Sequence, residues 1–144
     1  MYLNAYEIEL EKADGTTVTA ALRLNIAKQM ELKKKYKEST TQTLFGAIDD
    51  AEKFVEVLDA CLNWAGNQNT IKKGTELADL MAANDLLGLM EKQKLITSIG
   101  RYSGIFSEKE KDAIDKSAEK RIGRLLGDDL DGEGFEEEEE SKNA

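Results

Sequence analysis

Apolar and polar residues alternate at the start of the chain. Tyr6, Ile8 and Leu10 fall on one side of an extended backbone and Glu7, Glu9 and Glu11 on the other, the pattern of a half-buried strand. Lys12-Ala13-Asp14-Gly15 supplies a turn in which Gly15 takes the positive φ of a tight hairpin, and alternation resumes after Thr16 through Val18, Ala20, Leu22 and Leu24. The expected β-hairpin joins residues 2–11 to 16–24. A lone hairpin is marginally stable in water, so helices from the rest of the chain must cover its apolar face.

From Asn25 the period changes to that of helices. Asn25 is the N-cap of a helix from Ile26 to about Lys37, with Ile26, Ala27, Met30 and Tyr36 as apolar positions. Lys33, Lys34, Lys35 and Lys37 crowd its last turns, where cations meet the negative end of the helix dipole; a patch for an anionic partner is the other reading of the same run. Ser39-Thr40-Thr41-Gln42 has the capping-box form S-x-x-Q. Beyond it Leu44, Phe45, Ile48, Ala51, Phe54, Val55, Leu58, Cys61, Leu62 and Ala65 recur at steps of three and four, which predicts one central core helix ended by Gly66-Asn67-Gln68-Asn69. Asp49, Asp50, Glu52, Lys53, Glu56 and Asp59 take its opposite side.

Thr75 caps a short predicted helix from Glu76 to about Ala83, and Asn84-Asp85 marks a bend before a helix through Leu86, Leu87, Leu89, Met90, Leu95, Ile96 and Ile99. That helix is apolar on more than one side, so it is either enclosed or meets another chain. Met81, Leu86, Leu89 and Met90 are the candidate partner-binding residues. Gly100, Ser103 and Gly104 loosen the chain, and Ser107-Glu108-Lys109-Glu110 is a second capping box opening a helix to about Leu126. Its stripe of Ile114, Ala118, Ile122 and Leu125 is thin, and Gly127 suits its C′ position. The expected fold is α+β and mainly α-helical: an N-terminal β-hairpin on a bundle of four to five helices in residues 1–126, then a disordered acidic tail, 127–144, whose isolated apolar residues are Leu130 and Phe135.

Composition narrows the chemistry. The 144 residues contain no His, no Pro and one Cys, which removes mechanisms built on imidazole, paired thiols or a disulfide framework. The net charge of -9 is concentrated: nine acids against Lys142 give residues 127–144 a charge of -8, leaving -1 for the first 126. A near-neutral body without a basic stripe is poorly suited to nucleic acid. No run of 18 apolar residues occurs, and Glu7 and Glu9 stand where a signal peptide would need an apolar stretch, so no membrane partner and a cytoplasmic location are expected. Cys61 lies in an apolar stripe with no base beside it and reads as a buried structural thiol, while Trp64 reads as a cover for the core edge.

Asp129, Asp131, Glu133, Gly134 and Glu140 occupy positions 1, 3, 5, 6 and 12 of a calcium-loop template, but position 8 is Glu136 and only four residues follow Glu140, so the spacing reads as chance in an acid-rich segment. No phosphate-cradling glycine motif occurs. Asp49 and Asp50, being adjacent, point to different sides of a helix and make no acid/base pair. No catalytic residue, cofactor or metal is expected, and the chain reads as a non-enzymatic binder.

The order of elements is similar to that of the tail assembly chaperones of long-tailed, siphovirus-like bacteriophages and prophages. The resemblance covers residues 2 to about 125: the hairpin of Tyr6-Glu7-Ile8-Glu9-Leu10 and Thr17-Val18-Thr19-Ala20-Ala21-Leu22 runs into Leu24-Asn25-Ile26-Ala27-Lys28-Gln29-Met30-Glu31-Leu32-Lys33, then Ala51-Glu52-Lys53-Phe54-Val55-Glu56-Val57-Leu58 and further helices. It implies a folded domain that binds the phage tape measure protein and helps recruit tail tube subunits in the cytoplasm of the bacterial host, without catalytic residues and without a place in the mature virion. Self-association into a homo-oligomer is compatible with it. Many such chaperones are made in two lengths by a -1 ribosomal slip, and Ser141-Lys142-Asn143 is encodable as TCA AAA AAC, which contains the slippery run A AAA AAC. The acidic segment with Glu136, Glu137, Glu138, Glu139 and Glu140 would then be a linker; otherwise it is a solubilising tail. The alternative function is a regulatory adaptor or inhibitor that uses this tail to bind a basic partner.

Overall fold

The N-terminal alternation folds as an antiparallel pair, β1 (Tyr6–Glu11) and β2 (Thr17–Leu22), in a computed structural model that describes residues 4–127. Tyr6 lies opposite Leu22, Ile8 opposite Ala20 and Leu10 opposite Val18. Gly15 has φ +89°, and the Asp14 carboxylate accepts from the Thr16 backbone N–H (3.0 Å) and hydroxyl (2.6 Å), which closes the turn. Leu10, Ala20, Leu22 and Leu24 are buried under the helices.

The described residues form six helices: α1 (Ile26–Tyr36), α2 (Thr40–Ala47), α3 (Ala51–Leu62), α4 (Gly74–Ala83), α5 (Leu89–Tyr102) and α6 (Glu108–Leu126). The fold is α+β and mainly α-helical, as the patterning predicts. Asn25 caps α1 by accepting from the Lys28 N–H, and both capping boxes close reciprocally, Ser39 with Gln42 and Ser107 with Glu110.

Several boundaries differ from the reading of the sequence. The single central helix is two, because Asp50 is extended (φ -134°, ψ 103°) and its side chain accepts from the Lys53 N–H, making it the N-cap of α3 instead of a residue on a helix face. The apolar period runs through the break because α2 and α3 face the same core. Thr75 does not cap α4, which begins at Gly74, whose N–H donates to the Asp59 carboxylate across from α3 (3.1 Å). Leu86 and Leu87 lie in the connection after Asp85 (φ +59°), outside α5, so the expected helix starts only at Leu89 and lacks two of the residues that made it apolar on more than one side. Gly100 is buried inside α5 and loosens nothing; Phe106 packs where its side chain would be. Gly127 ends α6 in a right-handed conformation, φ -92°.

The core collects Leu44, Val57, Leu58, Leu62, Leu77, Ile96 and Ile99, with α3 in contact with α1, α2, α4 and β2. Cys61 is fully buried, and burial pushes its thiol well above the ordinary range. Trp64 covers the core edge, with its Nε1–H donating to the Ala21 carbonyl (3.3 Å). On α1 the inward residue is Leu32; Ile26 and Met30 are 66% and 67% exposed. At about 100° per residue they sit some 120° and 160° around the helix from Leu32, beyond the arc that faces the bundle.

A charged cluster fastens α1 and α2 to α3. Lys35 and the Tyr36 hydroxyl (2.6 Å) converge on Glu56, while Lys53 (2.8 Å) and the Thr43 hydroxyl (2.9 Å) converge on Glu38. The lysine run therefore includes a structural partner. These donors hold both carboxyls below the usual 4.5, chiefly through Lys35 for Glu56 and Lys53 for Glu38. A depressed folded value gives stability that is present above about pH 4.5 and lost as pH falls through the folded values. The urea midpoint is expected to fall between about pH 5 and pH 3, and the double substitution Glu38→Gln, Glu56→Gln to lower the neutral midpoint and flatten that acid-dependent drop. An unaltered slope in the double variant would refute the assignment.

Candidate partner-binding groove

The groove is built where three helix ends meet. α2 stops at Ala47, and Ile48 and Asp49 carry the chain to the cap of α3, which leaves space between this turn, the start of α5 and the end of α6. Phe45, Ile48, Leu89, Ile122 and Leu125 line a hollow of ≈ 400 Å³, with Asp49, Gln93 and Arg121 as its polar members. A second hollow of ≈ 360 Å³, whose lining includes Phe54, Val55, Ala78 and Leu87, adjoins it at Ile48 and Asp49.

Its walls are held from behind. Because Gly100 has no Cβ, the Phe106 ring lies against α5, with ring carbons 2.5 Å from where a Cβ would stand, and Phe106 in turn meets Phe45 at 5.8 Å between ring centres. α6 is positioned on α5 by Asp115, which accepts from the Thr97 hydroxyl (2.7 Å) and pairs with Lys111 (2.7 Å). Ala118 and Ile122 are the buried residues of α6; past them its last turn projects, leaving Leu125 65% and Leu126 57% exposed. Gln93 is only 5% exposed, and its Nε2 has no hydrogen-bond partner. A buried amide donor is ordinarily paired, and here a carbonyl or carboxylate oxygen entering the hollow would supply the acceptor.

The four residues proposed from the sequence do not form one surface. Met81 is 2% exposed and turned into the core on α4. Met81 and Leu86 line a separate hollow of ≈ 160 Å³ with Tyr6, Ile8 and Leu95, Leu89 lines the main groove, and Met90 is half-buried on the first turn of α5. Glu136 to Glu140, Ser141, Lys142, Asn143 and the calcium-loop spacing lie outside the described residues. Phe45, Ile48 and Ile122 read from the sequence only as core stripe. The signal for Gln93 is its place as a polar residue four positions after Leu89 and three before Ile96, on the apolar side of α5.

Chemically the groove offers apolar area with one amide, one acid and one guanidinium around it, the kind of polar groups that fix orientation in a binding site. Among the described residues no group of three or more His, Cys, Asp or Glu is placed to hold a metal ion, and no helix is long and apolar enough to cross a membrane. No protein-family model, no curated protein and no solved structure matches the chain.

Proposed function

We propose that this protein is a tail assembly chaperone of a long-tailed phage or prophage. It binds the tape measure protein in the host cytoplasm, assists recruitment of tail tube subunits and catalyses no reaction. The observation that carries the reading is the groove between α2, α5 and α6, apolar along Phe45, Ile48, Leu89 and Ile122, with the exposed Leu125 also in its lining. An amphipathic helix lays its apolar face into such a groove, and a long helical partner awaiting assembly has apolar faces in need of cover. The hairpin that leads directly into α1 adds to the resemblance in element order.

The test is binding to segments of the tape measure protein encoded with this chain. Leu125 is exposed enough to be changed without disturbing the core, so Leu125→Glu is expected to weaken binding at least about tenfold, or ~1.4 kcal/mol, with an unchanged melting transition. Equal affinity of Leu125→Glu, or no binding by the unaltered chain, would remove the reading. The gene context is an independent check: a tail tube gene upstream and a very long helical reading frame downstream are expected.

A further inference from the structure

The groove lies beside the point where the described chain stops. Gly127 is two residues beyond Leu125, which lines the groove, and the sequence continues as Asp128-Asp129-Leu130-Asp131-Gly132-Glu133-Gly134-Phe135-Glu136. At about 3.3 Å per residue, Leu130 reaches some 10 Å from Gly127 and Phe135 some 26 Å, enough to cross a hollow of this size. Leu130 and Phe135 are the large apolar residues after Gly127, and acids surround them. The last turns of α6 carry Lys120, Arg121 and Arg124, opposite in sign to those acids. Asp49 is the one acid in the lining, and it is offset by Arg121. Gly132 and Gly134 lower the steric cost of turning the chain back. The unpartnered amide of Gln93 adds a donor for a backbone carbonyl of whatever segment enters.

We propose that residues 128–136 of the same chain occupy this groove, with Leu130 and Phe135 as apolar anchors, and that the partner must displace them. A second copy is the poorer occupant, because each chain brings a net charge of -9 and an acidic segment of the same sign. The tethered segment acts at an effective concentration in the millimolar range, so a contact too weak to survive between separate molecules holds within one. As regulation of the groove the inference rests on the function proposed above; as a contact within the chain it is measured without the partner.

The experiment uses the full chain with labelled methyl groups and side-chain amides, compared with Leu130→Ser, Phe135→Ser in the same chain. Resonances of Ile48, Leu89, Ile122, Leu125 and the Gln93 amide are expected to shift between the two, to be independent of protein concentration in the unaltered chain, and to accompany identical melting transitions. Unchanged groove resonances would overturn the proposal, as would concentration-dependent ones, which would make a second copy the occupant. A tape measure segment that binds the unaltered chain should bind the double variant about tenfold tighter, because the groove is no longer occupied. Equal affinities would overturn displacement. If the segment binds neither chain while the resonances shift, the contact within the chain stands and the assignment as a tape measure chaperone fails.

Discussion

Gly74→Ala is expected to destabilise the fold by about 3 kcal/mol, at the upper end of what overpacking costs. Gly74 opens α4 where that helix meets α3, and an added Cβ would run into the backbone carbonyl oxygen of Val55 and stand 2.9 Å from the backbone nitrogen of Asp59. Both obstacles are backbone inside a helix, so no rotamer change relieves the clash. The helices must separate, taking the Gly74 N–H away from the Asp59 carboxylate and loosening Leu77 against α3. Gly123 supplies the control. It lies on the exposed side of α6 with nothing within 4 Å of an added Cβ, so Gly123→Ala should stabilise by about 0.5–1 kcal/mol through helix propensity. Equilibrium urea unfolding of the two variants checks this. Equal midpoints would show that the close approach of α3 and α4 is not a constraint.

Asn69→Ala should be nearly as damaging, again by about 3 kcal/mol. Asn69 is buried in the loop after α3, and its side chain behaves like a piece of a third strand: Oδ1 accepts from the Ala21 N–H (2.7 Å) and Nδ2 donates to the Ala21 carbonyl (2.8 Å). The same Nδ2 donates to the Leu62 carbonyl at the end of α3 (2.9 Å). One amide thus satisfies the open edge of β2 and a helix-terminal carbonyl together. Truncation leaves the Ala21 N–H and the Leu62 carbonyl without these partners, at about 1–3 kcal/mol for each buried group. Trp64 still donates to the Ala21 carbonyl, so that acceptor is not orphaned. Asn69→Asp separates charge from packing. A carboxylate facing two carbonyl oxygens has its folded pKa raised above the unfolded value, so its penalty grows as pH rises through that range and fades as pH falls. Unfolding of the alanine variant within about 0.5 kcal/mol of the unaltered chain, the range of an ordinary surface change, would refute the role given to Asn69.

Both sites turn on contacts between residues far apart in the chain, and this separates what was legible from what was not. The hairpin was legible because alternation of Tyr6, Ile8 and Leu10 and the positive φ of Gly15 depend on neighbouring residues. The starts of α1, α2 and α6 were legible for the same reason, since each cap reaches three residues. The break at Asp50 was hidden: the apolar residues of α2 and α3 keep helical spacing across it, and only the docking of both on one core turns Asp50 into a cap. The groove was legible only in part. Leu89 was singled out as a contact residue, whereas Phe45, Ile48 and Ile122 carry the same signature as any core position.

By itself, then, the order of residues determined the hairpin, the starts of α1, α2 and α6, the concentration of negative charge after Gly127 and the lack of imidazole, because each is a matter of composition or of groups close together in the chain. Tertiary structure decided that Met81 turns inward while Ile26 and Met30 face outward, that Gly74 and Gly100 sit where another element leaves no room for a Cβ, and that Gln93 is enclosed without an acceptor. An apolar stripe states that a helix has a face to bury. The shapes of the elements that dock against it decide which part of that face is covered, and their volume and unpaired groups are set by residues tens of positions away.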